Sequence, residues 1–500
     1  MSTYLFRAIA FISLVLLCLG CSSAKNPIMP NDSQRSTQNF TGTSQIFVEG
    51  YPDPEITFHA DSAVAKYGYG SGGSYGFPYI IDDEAITVAV TGDVHYPWFS
   101  LLDETEGEIY SNAVPVASFF DWMDYFVSHP KVDAAVYYDD IWDDENKIKV
   151  AVTYMFYDAK RSWFGWDIGL TILEWNEGEY PGGYHFEIYK FRAGGDQMHP
   201  DVAWDEYSDN QDIYLTWSDI QVIENEEYYL PRYRHGTKNE NSEWAYSWPA
   251  GTFGDNLYED EEPFNSYFPR IDVGYMNGSD RVVGVVFTSF GLQGRDLFTT
   301  TFNYWDVDAS EGPQYENLET IINSSYSSYN AGYPHFDFHA GNSDPFYVMA
   351  FIQQESSGST AYKLWEIDSI NNDFYRIYDD NFNYRNIMPC VSVHYANYQD
   401  DRYATISYYE RQGSDSSYYK PAALQWNIDD QAVVEVSHIS SVQGYGDWDV
   451  LDPYGHWIGI SGAIATTDAE APELFLIWCT KMDKSEGNQI YAAWGSSAQQ

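Results

Sequence analysis

The chain has 500 residues, 75 of them acidic and 25 basic, for a formal charge of -50. Nucleic acid is thereby excluded as a partner, because binding it needs clustered Lys and Arg to neutralise phosphates. Aromatic residues make up 18% of the chain, which excludes a disordered acidic polymer and points to a packed, sheet-rich protein.

The chain opens MSTYLFRAIAFISLVLLCLGCSSAK, with a lone basic Arg7, an apolar run from Ala8 to Leu19, and then Gly20-Cys21-Ser22-Ser23. That is the order of an export signal. The run is about a dozen residues, short of the roughly 20 that a helix needs to span a bilayer. Its end resembles the lipobox of bacterial lipoproteins, in which a small residue precedes a cysteine that is lipidated and becomes N-terminal after cleavage. Gly20 and Cys21 match, whereas Cys18 stands where that family usually has Leu. The resemblance implies a signal peptide over 1–20, lipidation of Cys21 and a membrane partner through that anchor. Because no Asp follows the cysteine, it also implies the outer membrane of the cell envelope, facing periplasm or exterior. The other reading is an ordinary secretory signal with Cys21 a bystander. Residues 21–45, rich in Ser, Thr, Asn, Gln and Pro, read as a flexible tether, and 46–500 as a single folded domain.

Along that domain one phrase recurs: an aromatic residue, His or Met, then Pro, then an alternating strand. The copies are His129-Pro130-Lys131-Val132-Asp133, His199-Pro200-Asp201-Val202-Ala203, Phe268-Pro269-Arg270-Ile271-Asp272, Tyr333-Pro334-His335-Phe336-Asp337 and Met388-Pro389-Cys390-Val391-Ser392. A strand-like run follows each, beginning at Lys147, Asp212, Arg281, Phe346 and Arg402. A Trp before a turn then marks a third strand, at Trp175, Trp305, Trp365 and Trp426. Fourth-strand candidates begin at Tyr184, Asp373 and Ala432.

The phrases lie about 55 to 70 residues apart, a recurrence that predicts an all-β fold, a β-propeller of four-stranded blades. Weaker copies at Phe77-Pro78 and at Trp448-Asp449-Val450-Leu451 bring the expected number to seven blades, with six or eight as alternatives. Strands near Ile46–Glu49 and Gln489–Trp494 are expected to share a sheet and close the ring, removing exposed edges. The phrase, closest at His199 to Asp219, resembles the repeats of sialidase-like bacterial propellers. That resemblance implies architecture and no chemistry, since the Asp boxes of sialidases are missing and no three of the arginines are nominated by spacing.

No nucleophile elbow, zinc-protease motif or phosphate-cradling loop is found. The polar alternation on the first strands places Asp133, Asp205, Asp272, Asp337, His339 and His394 together in kind. His335, Asp337 and His339 share one side of a strand at a spacing that suits a metal ion, and Asp133 and Asp272 join them as candidate ligands. If a cation is held, Ca²⁺ fits so acidic a chain better than Zn²⁺. The competing reading gives the Asp residues hydrogen bonds to the loop of their own blade and makes the His residues strand caps or bridges between blades. Cys390 and Cys479 either pair or stay as buried thiols. The Trp series is expected to fill the space between blades.

These features favour a membrane-anchored, non-enzymatic scaffold for a protein or glycan ligand. An extracellular polysaccharide-active enzyme, glycoside hydrolase or lyase, with carboxylates at the channel mouth, is the alternative. A structural part of an envelope assembly is a third class.

Overall fold

A computed structural model describes the strands and a few joining residues between residues 42 and 496, with side chains described at intervals from 131 to 351. Among the described residues the strands fall into seven sheets. Sheet I holds His59–Val64, Ile86–Gly92, Pro97–Asp103 and Glu108–Pro115. Sheet II holds Tyr125–Asp140, Asp143–Asp158, Trp166–Asn176 and His185–Phe191. Sheet III holds Gln197–Trp204, Ile213–Ile223, Glu226–Gly236 and Asp255–Asn256. Sheet IV holds Asn265–Met276, Asp280–Phe290, Phe298–Asp306 and Glu319–Ile321. Sheet V holds Ala331–Phe338, Tyr347–Gln354, Thr360–Ile367 and Phe374–Asp380. Sheet VI holds Val391–Tyr398, Asp401–Arg411, Tyr418–Asn427 and Ala432–His438.

Sheet VII takes Ile460–Ala465, Glu473–Thr480 and Gln489–Ser496 from the end of the chain and Gly42–Ile46 from its start. Each is an antiparallel meander, apart from Lys66–Tyr67, which runs parallel to the first strand of sheet II, and Gly444–Tyr445, which pairs in sheet VI. The first strand of each sheet packs on the first strand of the next, and that of sheet VII packs on that of sheet I. The circuit is closed, and the fold is a β-propeller. Among the described residues no helix is long and apolar enough to cross a membrane.

Four of the strong phrases lie in the inner strands of sheets II to V, and Val391 of the fifth begins that of sheet VI, as their spacing predicts. Sheet I begins upstream of Phe77, at His59–Val64, and the run from His456 supplies the inner strand of sheet VII rather than a second strand. The reason is the closure: Ile46 pairs with Ile490 and Gly42 with Trp494, so the C-terminal part contributes three strands and the N-terminal part the fourth. That fourth strand takes Gly42–Gln45 from the segment whose composition reads as tether. Phe77-Pro78 and Trp448 lie outside the described residues.

Period-2 alternation divides the core. Ile213, Leu215 and Trp217 pack with Ile168, Leu170 and Ile172 between sheets II and III. Tyr214 and Ala203 pack with Ile271, Val283, Val285, Phe287 and Trp305 between sheets III and IV. Central strands are thus buried on both faces, which is why runs such as Val150–Phe156 are apolar almost throughout. Trp305 fills the space between blades, as expected of the Trp series.

Every described copy of the phrase makes the same irregularity. The register slips between Ser128 and Lys131, Met198 and Asp201, Tyr267 and Arg270, and Gly332 and His335, so that the residue before Pro and the Pro itself oppose a single residue. These are β-bulges, the place where a strand tolerates a residue without an N–H. His199 and Phe268 sit there at φ of 55° and 54°, a strained conformation for non-glycine residues. The residues facing the four bulges are Tyr154, Trp217, Phe287 and Phe351, all fully buried aromatics. At Tyr154 the ring presses so close that a Cβ on Gly169, its partner in the next strand, would lie 2.2 Å from it.

Candidate functional site

The inner strands begin, and the second strands end, at one rim of the ring. In sheets III and IV this rim departs from the apolar pattern three residues before the Pro, where sheet II has Val127 and these sheets have Gln197 and Ser266. Gln197 pairs directly with Asp219, and both are fully buried. Asp219 Oδ2 accepts from Arg232 Nε at 3.1 Å and from Gln221 Nε2 at 2.8 Å. Burial nevertheless pushes the Asp219 carboxyl above the usual carboxylate range, outweighing the opposing pull of Gln221 and Arg232. Among the described residues its Oδ1 and both polar atoms of the Gln197 amide have no hydrogen-bond partner.

In sheet IV the matching pair is Ser266 and Ser289. Ser289 Oγ shares hydrogen bonds with Thr299 Oγ1 at 2.6 Å and Thr301 Oγ1 at 2.7 Å. Sheets III and IV are stitched together at this rim. Ser218 Oγ donates to the Ser266 carbonyl at 2.9 Å, and the Tyr229 N–H donates to Asn265 Oδ1 at 2.9 Å. The rings of Tyr229 and Tyr267 meet at 4.7 Å, and burial, with Tyr229 beside it, pushes the Tyr267 hydroxyl up. The two bulged residues also meet, His199 and Phe268 at 4.3 Å.

The inner-strand acids occupy a different place. Asp133 Oδ2 accepts the Trp204 N–H at 2.7 Å, Asp201 Oδ2 the Ile271 N–H at 2.9 Å, and Asp272 Oδ2 the Phe338 N–H at 2.8 Å. Each bond runs to the next sheet rather than to the loop of the same one. The neighbouring Asp205 N–H donates within its sheet, to the Asp212 carbonyl, so by alternation the Trp204 N–H faces away from it. The carboxylates therefore satisfy edge donors that no strand of their own sheet can reach.

Asp337 is buried at the position equivalent to Asp133 and Asp272, and His335 at the position equivalent to Asp201 is half-buried. His339, Cys21 and Cys390 lie outside the described residues, and His394 and Cys479 lie in strands whose side chains are not among them. Among the described residues no three His, Cys, Asp or Glu side chains gather as metal ligands. Asp306, after Trp305, is the exposed end of a strand, and the Val307 N–H that follows donates to the Arg281 carbonyl at 2.9 Å.

At the opposite rim Asp205, fully buried, accepts from Arg281 Nη1 of sheet IV at 3.0 Å. Beside it Asp212 lies 3.3 Å from His235 Nε2, and the His235 ring stacks on Tyr214 at 4.6 Å. Sequence reasoning nominated Asp205 but passed over Gln197, Asp219, Gln221, Arg232 and Asp212. The available signal was the polar residue three places before the Pro, where the other faces of the core are apolar.

No family model and no curated protein matches this chain. Among solved structures it is similar to a GH62 hydrolase in complex with xylotriose, at 8% identity over 69% of this chain and 88% of that one, TM-score 0.33. It is also similar to Trypanosoma rangeli sialidase in complex with the inhibitor DANA, at 11% identity over 78% of this chain and 56% of that one, TM-score 0.43. A third is the catalytic domain of Coprinopsis cinerea GH62 alpha-L-arabinofuranosidase, at 11% identity over 74% and 90%, TM-score 0.31.

Proposed function

We propose that this protein is an extracytoplasmic propeller, anchored in the envelope through lipidated Cys21, that serves as a non-enzymatic scaffold and binds a neutral glycan at the rim of sheets III and IV. The observation that carries the reading is the pair of bulges that brings the His199 and Phe268 rings to 4.3 Å, with Phe268, Tyr229 and Tyr267 half-buried at the rim beside the half-buried amides of Gln221 and Asn265. Ring faces suit the C–H surface of a sugar, and convergent polar groups suit its hydroxyls. A formal charge of -50 repels acidic glycans and leaves neutral ones. Binding is favoured over catalysis because Asp219, whose carboxyl burial pushes above the usual range, is closed off from solvent with one oxygen committed to Arg232 and Gln221. A general acid must come within hydrogen-bond reach of its substrate.

Calorimetric titration of the mature chain with a panel of neutral oligosaccharides tests the reading. Phe268→Ala is expected to weaken binding by about tenfold, roughly the value of one aromatic contact. Unchanged affinity in this variant removes the two bulged rings from the site. The anchor is checked separately: Cys21→Ser is expected to abolish incorporation of a labelled fatty acid.

One observation favours the enzymatic alternative, namely Asp205 and Asp212 joined across a hairpin with His235 at 3.3 Å from Asp212. Cleavage of any oligosaccharide in the same panel, abolished by Asp212→Asn, would replace the scaffold reading.

A further inference from the structure

The second strand of sheet III outruns the first. Its last partner in the inner strand is Gln197, opposite Asp219, while pairing with the third strand continues to Ile223 and Glu226. Residues 220–229 therefore form a hairpin extension beyond the inner strand. Its two-residue turn, Glu224-Asn225, has φ of 52° and 72°, both positive as a type I′ hairpin requires. The extension is braced on both sides at its root. The Ile220 N–H donates to the Asp196 carbonyl at 2.7 Å, and the Tyr229 N–H to Asn265 Oδ1.

Three properties coincide on this extension. Val222 is 69% exposed, an apolar side chain held out to solvent. The segment IQVIENEEYY carries Glu224, Glu226 and Glu227 with no Lys or Arg, and the Tyr228 hydroxyl lies 3.2 Å from Glu226 Oε2. Third, among the described residues no strand pairs with the outer edge of this segment. Since the Ile220 N–H points away from the third strand, alternation places the N–H and C=O of Val222 on the same outer edge, beyond the last residue of the inner strand.

We infer that this hairpin docks an extended, basic segment of a partner protein. The segment adds alongside residues 221–223, exchanges main-chain hydrogen bonds with Val222, lays an apolar side chain on Val222 and sets its cations among the three glutamates. A rigid, pre-turned hairpin lowers the ordering cost of such an addition. A second copy of this chain is an unsuitable occupant, since it brings the same charge of -50. The inference rests on Val222 and the three glutamates, none of which is assigned to the glycan, although Gln221 and Tyr229 adjoin both sites.

The test uses the mature full-length chain and a fluorescein-labelled decapeptide of alternating lysine and valine, followed by anisotropy at about 0.15 M salt, where long-range attraction is screened. Binding near about 10 μM is expected, weakened about tenfold or more in the triple variant Glu224→Gln, Glu226→Gln, Glu227→Gln and also in Val222→Asp. The triple variant alters only three of 75 acidic residues, so a general attraction to the whole surface stays nearly the same. Equal binding by variant and parent therefore overturns the proposal, as does no binding by the parent. A lysine–proline decapeptide, which lacks half of the backbone donors, is expected to bind at least about tenfold more weakly. If it binds as well as the lysine–valine peptide, strand addition is overturned.

Discussion

Sheet III carries two buried aspartates paired with arginines, one at each rim, and they are put to opposite uses. Asp205 reaches across to Arg281 of sheet IV at 3.0 Å, while its own N–H closes the hairpin to Asp212. Asp219 pairs inside its own sheet, with Arg232 at 3.1 Å, while among the described residues its other oxygen and the facing Gln197 amide have no hydrogen-bond partner. Both carboxylates are fully buried. The first pair holds two blades together, whereas the second shapes a rim and keeps hydrogen-bonding capacity in reserve. Chemical identity and burial alone would not separate them; what each arginine is attached to does.

The sharpest way to break this contrast is Asp205→Ala. It strands Arg281 and opens the joint between sheets, so a loss of about 3 kcal/mol is expected in urea unfolding. A loss as small as that of a surface pair, below about 1 kcal/mol, would deny the bridge its role. The ring acids come next. Asp272→Ala removes acceptors from the Phe338 N–H and the Val273 N–H, and about 2 kcal/mol is expected by the same measurement. Asp133→Ala, with one such bond described, should cost less.

Asp219→Asn is expected to match the parent near pH 4 and to become the more stable of the two as pH rises towards 7, so that it reveals itself in the pH profile. Burial raises the Asp219 carboxyl above its unfolded value, so the native chain retains a proton that the unfolded chain releases. The stability linked to that proton is complete below the ordinary carboxylate pKa of about 4 and is lost as pH rises through the raised one. Asn keeps the neutral form at every pH, so the parent should fall relative to the variant as pH rises from about 4 towards neutrality. Parallel profiles would show that Asp219 titrates as an ordinary carboxylate. The smallest expected effect is that of Ca²⁺: after chelator, about 5 mM should raise Tm no more than NaCl of equal ionic strength. A Ca²⁺-specific rise would point back to His335, Asp337 and His339.

Much of the ring was legible because its repeat is written in period-2 alternation and in prolines. The inner strands of sheets II to VI, their order and the joining of the two chain ends followed from residues alone. What alternation hides is direction. It identifies Asp133 and Asp272 as sharing a face, but that face turns to the backbone of the next sheet, because only a closed ring brings another blade's edge donors within reach. The bulge was equally hidden, although its proline was the landmark, since nothing local says that His199 and Phe268 will take positive φ and touch. Gln197 and Asp219 lie 22 places apart by their numbers, and only the hairpin register makes them neighbours.

The joining of Gly42–Ile46 to Gln489–Ser496 has a kinetic consequence. Synthesis delivers the first of these strands long before the second, so the last sheet lacks its third strand until Gln489–Ser496 has been made. Loop-closure entropy over such a span is modest, growing only logarithmically with length, but the contact is as non-local as the fold allows and should form late. An incomplete chain thus keeps an unpaired edge, which makes any C-terminal truncation of this protein a candidate for aggregation rather than for a smaller ring.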